Sequence, residues 1–366
     1  MKNSKNYVKL IIMVLFSLSL IACSSDDDEL VQPKQIEMEL PSSLSMIYGE
    51  KKEISLPSNV LEVSDIELNL DFSQNENIKI NNTEFLRDKL SQAITINKES
   101  GKIILNSDLL YANGVVSAIS GIRLPESYKI TINANSDKQN FKGSNTIEVK
   151  ISPAKLTIKG LDDKSIISVA YVIYGDKTNF ELESSLNVGA DMSWGIENQS
   201  AIGKEIFINT NIIKYTDNAG DPDKKAEKTY DVNPALLKDG FPIATTTFRV
   251  IFIPKIKFFF GTYYPEYDLT ILTNNLHIGL SNGYISAAPI LSPEIYKSSF
   301  VITEIKKDGQ FFTDVEKVFS INDKTGSISV KKNTALTEGA YEITVKAITT
   351  TGLEFFTTLT LNMSKL

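Results

Sequence analysis

The chain has 366 residues, of which 42% are hydrophobic and 23% charged, and its formal net charge is −7 at neutral pH. This composition is typical of a globular protein long enough for two or three domains. The acidic balance argues against a nucleic-acid partner. A single cysteine, Cys23, and a single histidine, His277, argue against zinc sites and against catalysis by histidine with serine or cysteine. We therefore expect no metal, no cofactor and no catalytic residue.

The first 22 residues are predicted to be a leader rather than part of the fold. Three lysines precede an apolar segment at 10–21, and Ala22 stands directly before Cys23. The apolar segment is shorter than the about 20 residues of a membrane-spanning helix, which argues against a span. The arrangement predicts a lipoprotein signal peptide over 1–22, with acyl chains on Cys23 holding the protein at a membrane. A simple secretory signal with a coincidental cysteine is the alternative.

A short acidic run follows the predicted lipidation site. It consists of Ser24, Ser25, Asp26, Asp27, Asp28 and Glu29. Such a run cannot pack, so residues 23–33 are predicted to form an extended tether. The run resembles the export signal behind the lipid-bearing cysteine of Bacteroidetes surface lipoproteins. That resemblance implies a lipid anchor in the outer membrane and exposure at the cell surface. An ordinary tether, with the anchor facing the periplasm, is the alternative.

The body of the chain is predicted to be β structure. Apolar and polar residues alternate in many short segments, as at Phe248, Val250 and Phe252, and turn residues separate these segments. Helical periodicity is confined to 83–93 and to a segment that starts at 233 and leads to Leu237. Many short strands with polar turns predict an all-β chain of sandwiches.

Internal repeats divide this body. Residues 96–103 match 321–328 at an offset of 225, and 128–134 match 341–347 further on. The first pair of blocks predicts two hairpins with Gly101 and Gly326 in equivalent turns. Chance similarity between β-rich segments is the alternative.

A second repeat includes the middle of the chain. Residues 47–51 match 173–177 at an offset of 126, and a weaker counterpart of the turn block is expected around Gly203. The boundaries then fall near Pro153 and Asn274, with His277 in a connection between domains. These boundaries predict three sandwich domains, at 34–153, 154–274 and 275–366.

The repeated block resembles a known class of module. Together with Gly339 and Tyr341, residues 319–349 are similar to cadherin-like and immunoglobulin-like modules of bacterial surface proteins. The resemblance implies tandem Ig-like or cadherin-like sandwiches, but the acidic calcium motifs of cadherins are incomplete here. The nearest candidate is the loop with Asp217, Asn218, Asp221 and Asp223. Because lysines interrupt that loop, we expect a solvated loop, and calcium binding there stays open.

An aromatic cluster at 258–267 is the best candidate for ligand binding. Six aromatic residues surround a glycine and a proline, and strand alternation cannot bury them all. We expect Tyr263, Tyr264, Tyr267 and Phe259 to form a contact surface suited to sugar rings. Packing of the cluster on a neighbouring domain is the alternative. Trp194 is expected in a core.

Three classes of function follow from these predictions. Lipid anchor, tether and tandem sandwiches resemble the glycan-binding lipoproteins of Bacteroidetes polysaccharide-uptake systems. That resemblance implies a polysaccharide ligand and an outer-membrane transporter as partners. The alternative is an adhesin, fimbrial or spacer lipoprotein that binds proteins, which an unpaired edge strand would favour. A glycosidase is the least supported class, because domains of this size offer no evident deep cleft.

Overall fold

The computed structural model describes residues 33–138, 140–162, 165–280, 282–333 and 335–365. The predicted leader, Cys23 and the acidic run from Ser24 to Glu29 lie outside the described residues. Within the described ranges, no helix is both long enough and apolar enough to cross a membrane.

Contacts between residues divide the chain into two compact units. Unit 1 contains the chain up to Lys155 together with two later segments, Leu186–Ser193 and Leu236–Thr245. Unit 2 contains Leu156–Ser185, Trp194–Ala235 and Thr246–Leu366. The division into three domains stays a prediction, although both late segments of unit 1 come from the predicted second domain.

In the N-terminal part of the chain, the described residues 33–138 and 140–152 form eight strands and two short helices. The helices are α1 (Ser58–Leu61) and α2 (Leu86–Ala93). The strands are β1 (Lys34–Gln35), β2 (Ser43–Ile47), β3 (Lys51–Ser55), β4 (Glu67–Asp71), β5 (Ile94–Asn97), β6 (Lys102–Asn106), β7 (Tyr128–Ser136) and β8 (Phe141–Ser152). Helix α2 confirms the helical periodicity predicted for 83–93.

The middle of the chain continues with strands β9 to β18 and one short helix, α3 (Gln199–Ile202). The strands are β9 (Ala154–Ile158), β10 (Ser168–Ile173), β11 (Phe180–Ser184), β12 (Met192–Ile196), β13 (Ile206–Asn209), β14 (Ile212–Tyr215), β15 (Lys228–Val232), β16 (Pro234–Lys238), β17 (Phe241–Thr245) and β18 (Phe248–Ile253). Gly203 lies at the C-terminal end of α3. The equivalence predicted for its turn is therefore wrong, because the hairpin of this region lies later, between β13 and β14.

The C-terminal part of the chain consists of strands and two 3-10 turns, Pro265–Tyr267 and Glu294–Tyr296. The strands are β19 (Lys257–Phe259), β20 (Gly261–Tyr264), β21 (Leu269–Leu272), β22 (Asn275–Gly279), β23 (Tyr284–Ile285), β24 (Ile290–Ser292), β25 (Lys297–Lys307), β26 (Gln310–Phe311), β27 (Phe319–Ile321), β28 (Ile328–Val330), β29 (Gly339–Thr349) and β30 (Glu354–Ser364).

The first and last groups of strands share one topology. In the first, β2 pairs parallel with β8, and β8, β7 and β4 follow in antiparallel order; β3, β6 and β5 form a second sheet. In the last, β22, β30, β29 and β25 repeat the first sheet, and β23, β28 and β27 repeat the second. The chain is therefore an all-β protein of tandem sandwiches with an Ig-like or cadherin-like strand order.

The matched blocks of sequence have matched registers. Ile96 pairs with Ile103 across β5 and β6, and Ile321 pairs with Ile328 across β27 and β28. The glycines in the two turns are both left-handed, with φ of 64° at Gly101 and 79° at Gly326. The predicted equivalence of the two turns is confirmed.

The repeat at an offset of 126 has the same kind of support. The backbone N–H of Tyr48 donates to the Ser152 carbonyl at 2.9 Å, and that of Tyr174 donates to the Ile253 carbonyl at 3.0 Å. Gly49, which follows Tyr48, has a φ of 95°, and its counterpart after Tyr174 has a φ of 91°. The middle group of strands therefore begins with the same turn as the first.

Each sandwich in unit 2 has its own buried cluster. In the C-terminal group, residues of β25, β27, β28, β29 and β30 meet in one core that includes Tyr341 and Ile343. In the middle group, residues of β10, β11, β13, β14 and β18 form another, and Trp194 packs against it as predicted. Burial of both sheets against each other supplies the main stabilisation of such sandwiches.

A late hairpin completes unit 1. Asp239 and Gly240 connect β16 to β17 and are both left-handed, with φ of 50° and 81°, as tight hairpins require. The Tyr111 hydroxyl donates to the Asp239 carboxylate at 2.5 Å, and the Tyr111 ring lies 5.0 Å from that of Phe241. Burial, and after it this bond, raises the pKa of Tyr111, so the hydroxyl stays a donor.

The helix predicted to lead from Asn233 and Pro234 to Leu237 is wrong. Pro234–Lys238 form β16, and Pro234, Ala235 and Leu236 are all buried. A helix of this length would leave one side exposed, whereas a strand lets a continuous apolar run be covered on both faces.

Candidate functional site

The predicted aromatic cluster forms a two-stranded hairpin within unit 2. Strands β20 and β21 pair antiparallel, with Tyr264 opposite Leu269, Tyr263 opposite Thr270 and Thr262 opposite Ile271. Between them, Pro265–Tyr267 makes a 3-10 turn that ends at Asp268, which is left-handed with a φ of 49°. Directly opposed residues share a face of the hairpin, so its composition follows from this register.

One face of the hairpin is open to solvent. Thr262, Tyr264, Leu269 and Ile271 are all exposed, and we call these four residues the exposed hairpin face. Tyr264 is 43% exposed, Leu269 is 48% exposed and Ile271 is 47% exposed. Clustered apolar side chains on a surface mark binding sites more often than scattered ones do.

The opposite face is held by a small polar network. The Tyr263 hydroxyl donates to Asp268 at 2.9 Å, and the Lys257 ammonium pairs with the same carboxylate. The ammonium also lies 4.3 Å from the centre of the Tyr263 ring. The bond from Lys257 is the main reason why the pKa of Asp268 is lowered, and Tyr263 adds to the effect. The network ties the turn to β19 and fixes the orientation of the hairpin.

Gly261 allows the two strands to approach at their base. A Cβ atom at this position would lie 2.0 Å from the Ile271 carbonyl oxygen, and the φ of Gly261 is 154°. Any other residue would push β21 away from β20. The close pairing of Gly261 with Leu272 therefore depends on the absence of a side chain.

The four residues predicted for ligand binding have different positions. Tyr264 is exposed, Tyr267 at the tip is 81% exposed, and Tyr263 is half-buried in the polar network. Phe259 is only 9% exposed, so its assignment to a contact surface is corrected. The phenylalanines before the hairpin pack inward, with Phe258 stacked on Phe300 at a centroid distance of 5.8 Å. A role in ligand binding stays a prediction for the tyrosines.

The sequence reasoning missed the aliphatic part of the site. Leu269, Ile271 and Leu272 are exposed, and the last of them is 58% exposed. Their alternation with Thr270 after the turn predicts a strand, and pairing it with β20 would have placed Leu269 beside Tyr264. The aromatic residues give a stronger signal in the sequence, because six of them crowd one short segment.

Other candidate residues have ordinary structural roles. Lys224 donates to the Asp217 and Ala219 carbonyls, both at 2.9 Å, so the protein's own cation occupies the loop considered for calcium. The Asp221 carboxylate accepts backbone N–H groups from Lys225 and Ala226. Among the described residues, no group of three His, Cys, Asp or Glu side chains could hold a metal ion.

His277 lies in strand β22 rather than in a connection between domains. It pairs with Asn362 of β30, and its side chain is exposed. Its neighbours Leu276 and Ile278 pack against the C-terminal core, so strand alternation turns His277 outward. The expected position is corrected accordingly.

Comparison with solved structures finds tandem extracellular domains. Drosophila OTK extracellular domains 3-5 are 11% identical, over 92% of this chain and 96% of that chain, with a TM-score of 0.33. Sidekick-1 immunoglobulin domains 1-4 are 11% identical over 88% and 74%, with a TM-score of 0.29. Drosophila N-cadherin EC1-3 is 10% identical over 89% and 98%, with a TM-score of 0.27.

At TM-scores this low, the likeness carries no argument about function. No protein-family model matches the chain, and no curated protein does. The fold is therefore defined by its strand order and register.

Proposed function

We propose that this chain is a non-catalytic surface protein that binds a protein partner through the exposed hairpin face. The observation that carries the proposal is the side-by-side exposure of Tyr264, Leu269 and Ile271 on one face. Leaving this apolar area in water costs free energy that contact with a partner would recover. Interfaces are commonly centred on such a combination of aromatic and aliphatic side chains.

The open edges of the hairpin favour a protein partner over a sugar. Within the described residues, β20 and β21 form a sheet of two strands, so each has one side without a strand neighbour. Such an edge can accept a strand from another protein. Sugar sites need several converging polar groups, and the exposed hairpin face supplies only the hydroxyls of Thr262 and Tyr264.

Glycan binding is the second candidate, and the exposure of Tyr267 and Tyr264 favours it. In that case, the tyrosine rings would stack on the apolar faces of pyranose rings. Lipid anchoring through Cys23 in the outer membrane, with exposure at the cell surface, belongs to both candidates as a proposal. A transporter partner belongs to the glycan candidate alone.

The test compares adhesion of cells displaying the full chain to layers of immobilised protein and to a panel of polysaccharides. The protein layers are fibronectin and collagen, each treated with glycosidases beforehand so that they present protein surface. We expect Leu269→Ser with Ile271→Ser to abolish adhesion to at least one protein layer. The matched control is Ile166→Ser, since Ile166 is 97% exposed and lies outside the hairpin. It should leave adhesion unchanged.

Two results would contradict the proposal. If the parent adheres to polysaccharide alone and loses adhesion with Tyr264→Ala and Tyr267→Ala, the hairpin binds glycan. If no layer distinguishes the parent from the hairpin variant, the exposed hairpin face is not the binding surface.

A further inference from the structure

The middle sandwich of unit 2 contains a cavity that the proposed function does not use. A cavity of about 660 Å³ is bounded by the turn after β10, the β13–β14 hairpin and the loop that follows it. This volume lies in the range of small-molecule sites. The cavity opens to water, because residues 175–179 on its edge are all exposed. None of its lining residues belongs to the exposed hairpin face.

The inner wall of the cavity is aromatic and well ordered by packing. Tyr174 and Phe252 stack at a centroid distance of 5.9 Å with an interplanar angle of 18°. Tyr215 meets Phe252 edge-on at 5.1 Å. Lys224 lies 5.0 Å above the Tyr174 ring and donates to two loop carbonyls, so its charge is fixed beside the wall.

The outer wall pairs an aromatic ring with a cation. Phe207 on β13 lies directly opposite Lys214 on β14, so both side chains share one face of the hairpin. Phe207 remains 37% exposed. Across the described residues, Lys214 makes no ion pair or side-chain hydrogen bond. Its ammonium is therefore available to an anion in the cavity.

The residues that line the cavity carry a net positive charge, although the protein as a whole is acidic. Four lysines line it, Lys177, Lys214, Lys224 and Lys255, against two aspartates, Asp176 and Asp217. The chain as a whole has a net charge of −7. In the described part of the chain, Lys177 and Lys255 also make no ion pair within 4.0 Å. A concentration of unpaired cations against the overall charge favours an anionic ligand.

We infer that this cavity binds a carboxylate carried on a ring with an apolar face. The ring would lie against Phe207, and the carboxylate would accept charge-assisted hydrogen bonds from Lys214 and Lys177. Uronic-acid sugars and aromatic acids both present this chemistry. An inorganic anion would use the lysines but gain nothing from the aromatic wall.

The experiment measures ligand binding by saturation-transfer NMR with the full chain carrying Cys23→Ala, which prevents acylation. The probes are glucuronate, benzoate and methyl glucoside, which are observed directly, and inorganic phosphate, which has no carbon-bound protons and is measured by its displacement of the bound carboxylate. We expect saturable binding of glucuronate or benzoate, and weaker binding of methyl glucoside and phosphate. Which carboxylate binds more tightly distinguishes a sugar acid from an aromatic acid as the natural source.

Variants connect the binding to the cavity. Lys214→Gln should weaken the carboxylate about tenfold, because a charge-assisted hydrogen bond is lost. Phe207→Ser should weaken both carboxylates while leaving phosphate unchanged. Lys324→Gln is the control, since Lys324 lies in the exposed turn before β28 and not in the cavity. Thermal unfolding of each variant shows that the fold is retained.

Three results would overturn the inference: no saturable binding of either carboxylate, equal weakening by Lys214→Gln and Lys324→Gln, or phosphate binding as tightly as the carboxylates. The hairpin variants used for adhesion should leave the cavity unaffected. The two proposals can therefore fail independently.

Discussion

Gly101 and Gly326 occupy the same position in two equivalent turns. In the turn before each glycine, an asparagine side-chain oxygen accepts the backbone N–H of the residue three positions later. Ser100 donates to Asn97, and Thr325 donates to Asn322, both at 3.0 Å. Each glycine then adopts a left-handed backbone, and the next strand begins within two residues. Two hairpins in different units are therefore built by one local rule.

Replacing either glycine by valine should destabilise the protein by about 1 kcal/mol or more, because a β-branched residue is strained at positive φ. A Cβ atom would also lie 2.7 Å from Leu61 at Gly101 and 2.7 Å from Pro289 at Gly326. Urea unfolding measures the loss. Asparagine, which tolerates this conformation, should cost less than valine at both sites. Equal stability of the valine variants would contradict the turn assignment.

Tyr111→Phe should destabilise unit 1 by about 1.5–3 kcal/mol, because it removes a hydrogen bond to the Asp239 carboxylate from a fully buried ring. Tyr48→Phe is the matched control. Its hydroxyl donates to a neutral carbonyl, that of Asp108, at 3.0 Å, so the loss should be smaller. Chemical denaturation of both variants distinguishes the two cases. A larger loss for Tyr48→Phe would show that charge does not strengthen the Tyr111 bond.

Substitutions in the aromatic segment should affect stability very differently at buried and at exposed positions. Phe260 is 2% exposed, and Phe260→Ala should cost about 3–5 kcal/mol through lost packing. Tyr267 is 81% exposed, and Tyr267→Ala should change stability by less than about 0.5 kcal/mol. Thermal unfolding of the two purified variants checks the contrast. A destabilised Tyr267→Ala variant would mean that the tip of the hairpin packs on other residues.

The stability of the β20–β21 hairpin should depend on pH. Because Lys257 lowers the pKa of Asp268 below its usual 3.8, the network stabilises the fold above that value and is lost as the pH falls through the lowered one. Asp268→Asn keeps the left-handed conformation but removes the charge. At pH 7, amide hydrogen exchange in β20 and β21 should be faster in the Asp268→Asn variant than in the parent. Once the pH is below the lowered pKa of Asp268, the variant and the parent should exchange alike, and a difference persisting there would exclude the charge as the cause.

Membrane attachment should depend on Cys23 alone. Cys23→Ala should release the protein from the membrane fraction if, as we propose, acyl chains rather than an apolar surface hold it there. Cell fractionation tests this expectation, and a variant that still sediments with the envelope would refute it. Replacing Asp26, Asp27, Asp28 and Glu29 by alanine should move the protein inward. Protease added to intact cells should then no longer digest it.

The sequence predicted the repeated local features well. Gly101, Gly326 and the tyrosine-glycine turn at Tyr48 could be recognised because their conformations depend on a few adjacent residues. Strand alternation likewise predicted the all-β class. These features need no knowledge of distant partners.

Features decided by distant partners could not be predicted in this way. Pro234–Lys238 resembles the start of a helix, yet it is a strand whose first three residues are buried. Leu269 and Ile271 look like core positions until the pairing with β20 shows that their face has no cover. The candidate site was therefore located by its tyrosines, while its aliphatic half depended on register.

Because Leu236–Thr245 belongs to unit 1, this unit cannot be completed early in synthesis. When the ribosome has delivered the first 155 residues, Tyr111 still lacks both Asp239 and Phe241, which arrive only with Leu236–Thr245. A fragment cut after Lys155 would present that apolar surface to solvent. The N-terminal sandwich is therefore incomplete until residue 245 has been synthesised, and a fragment intended to fold as this sandwich must include the hairpin of Leu236–Thr245.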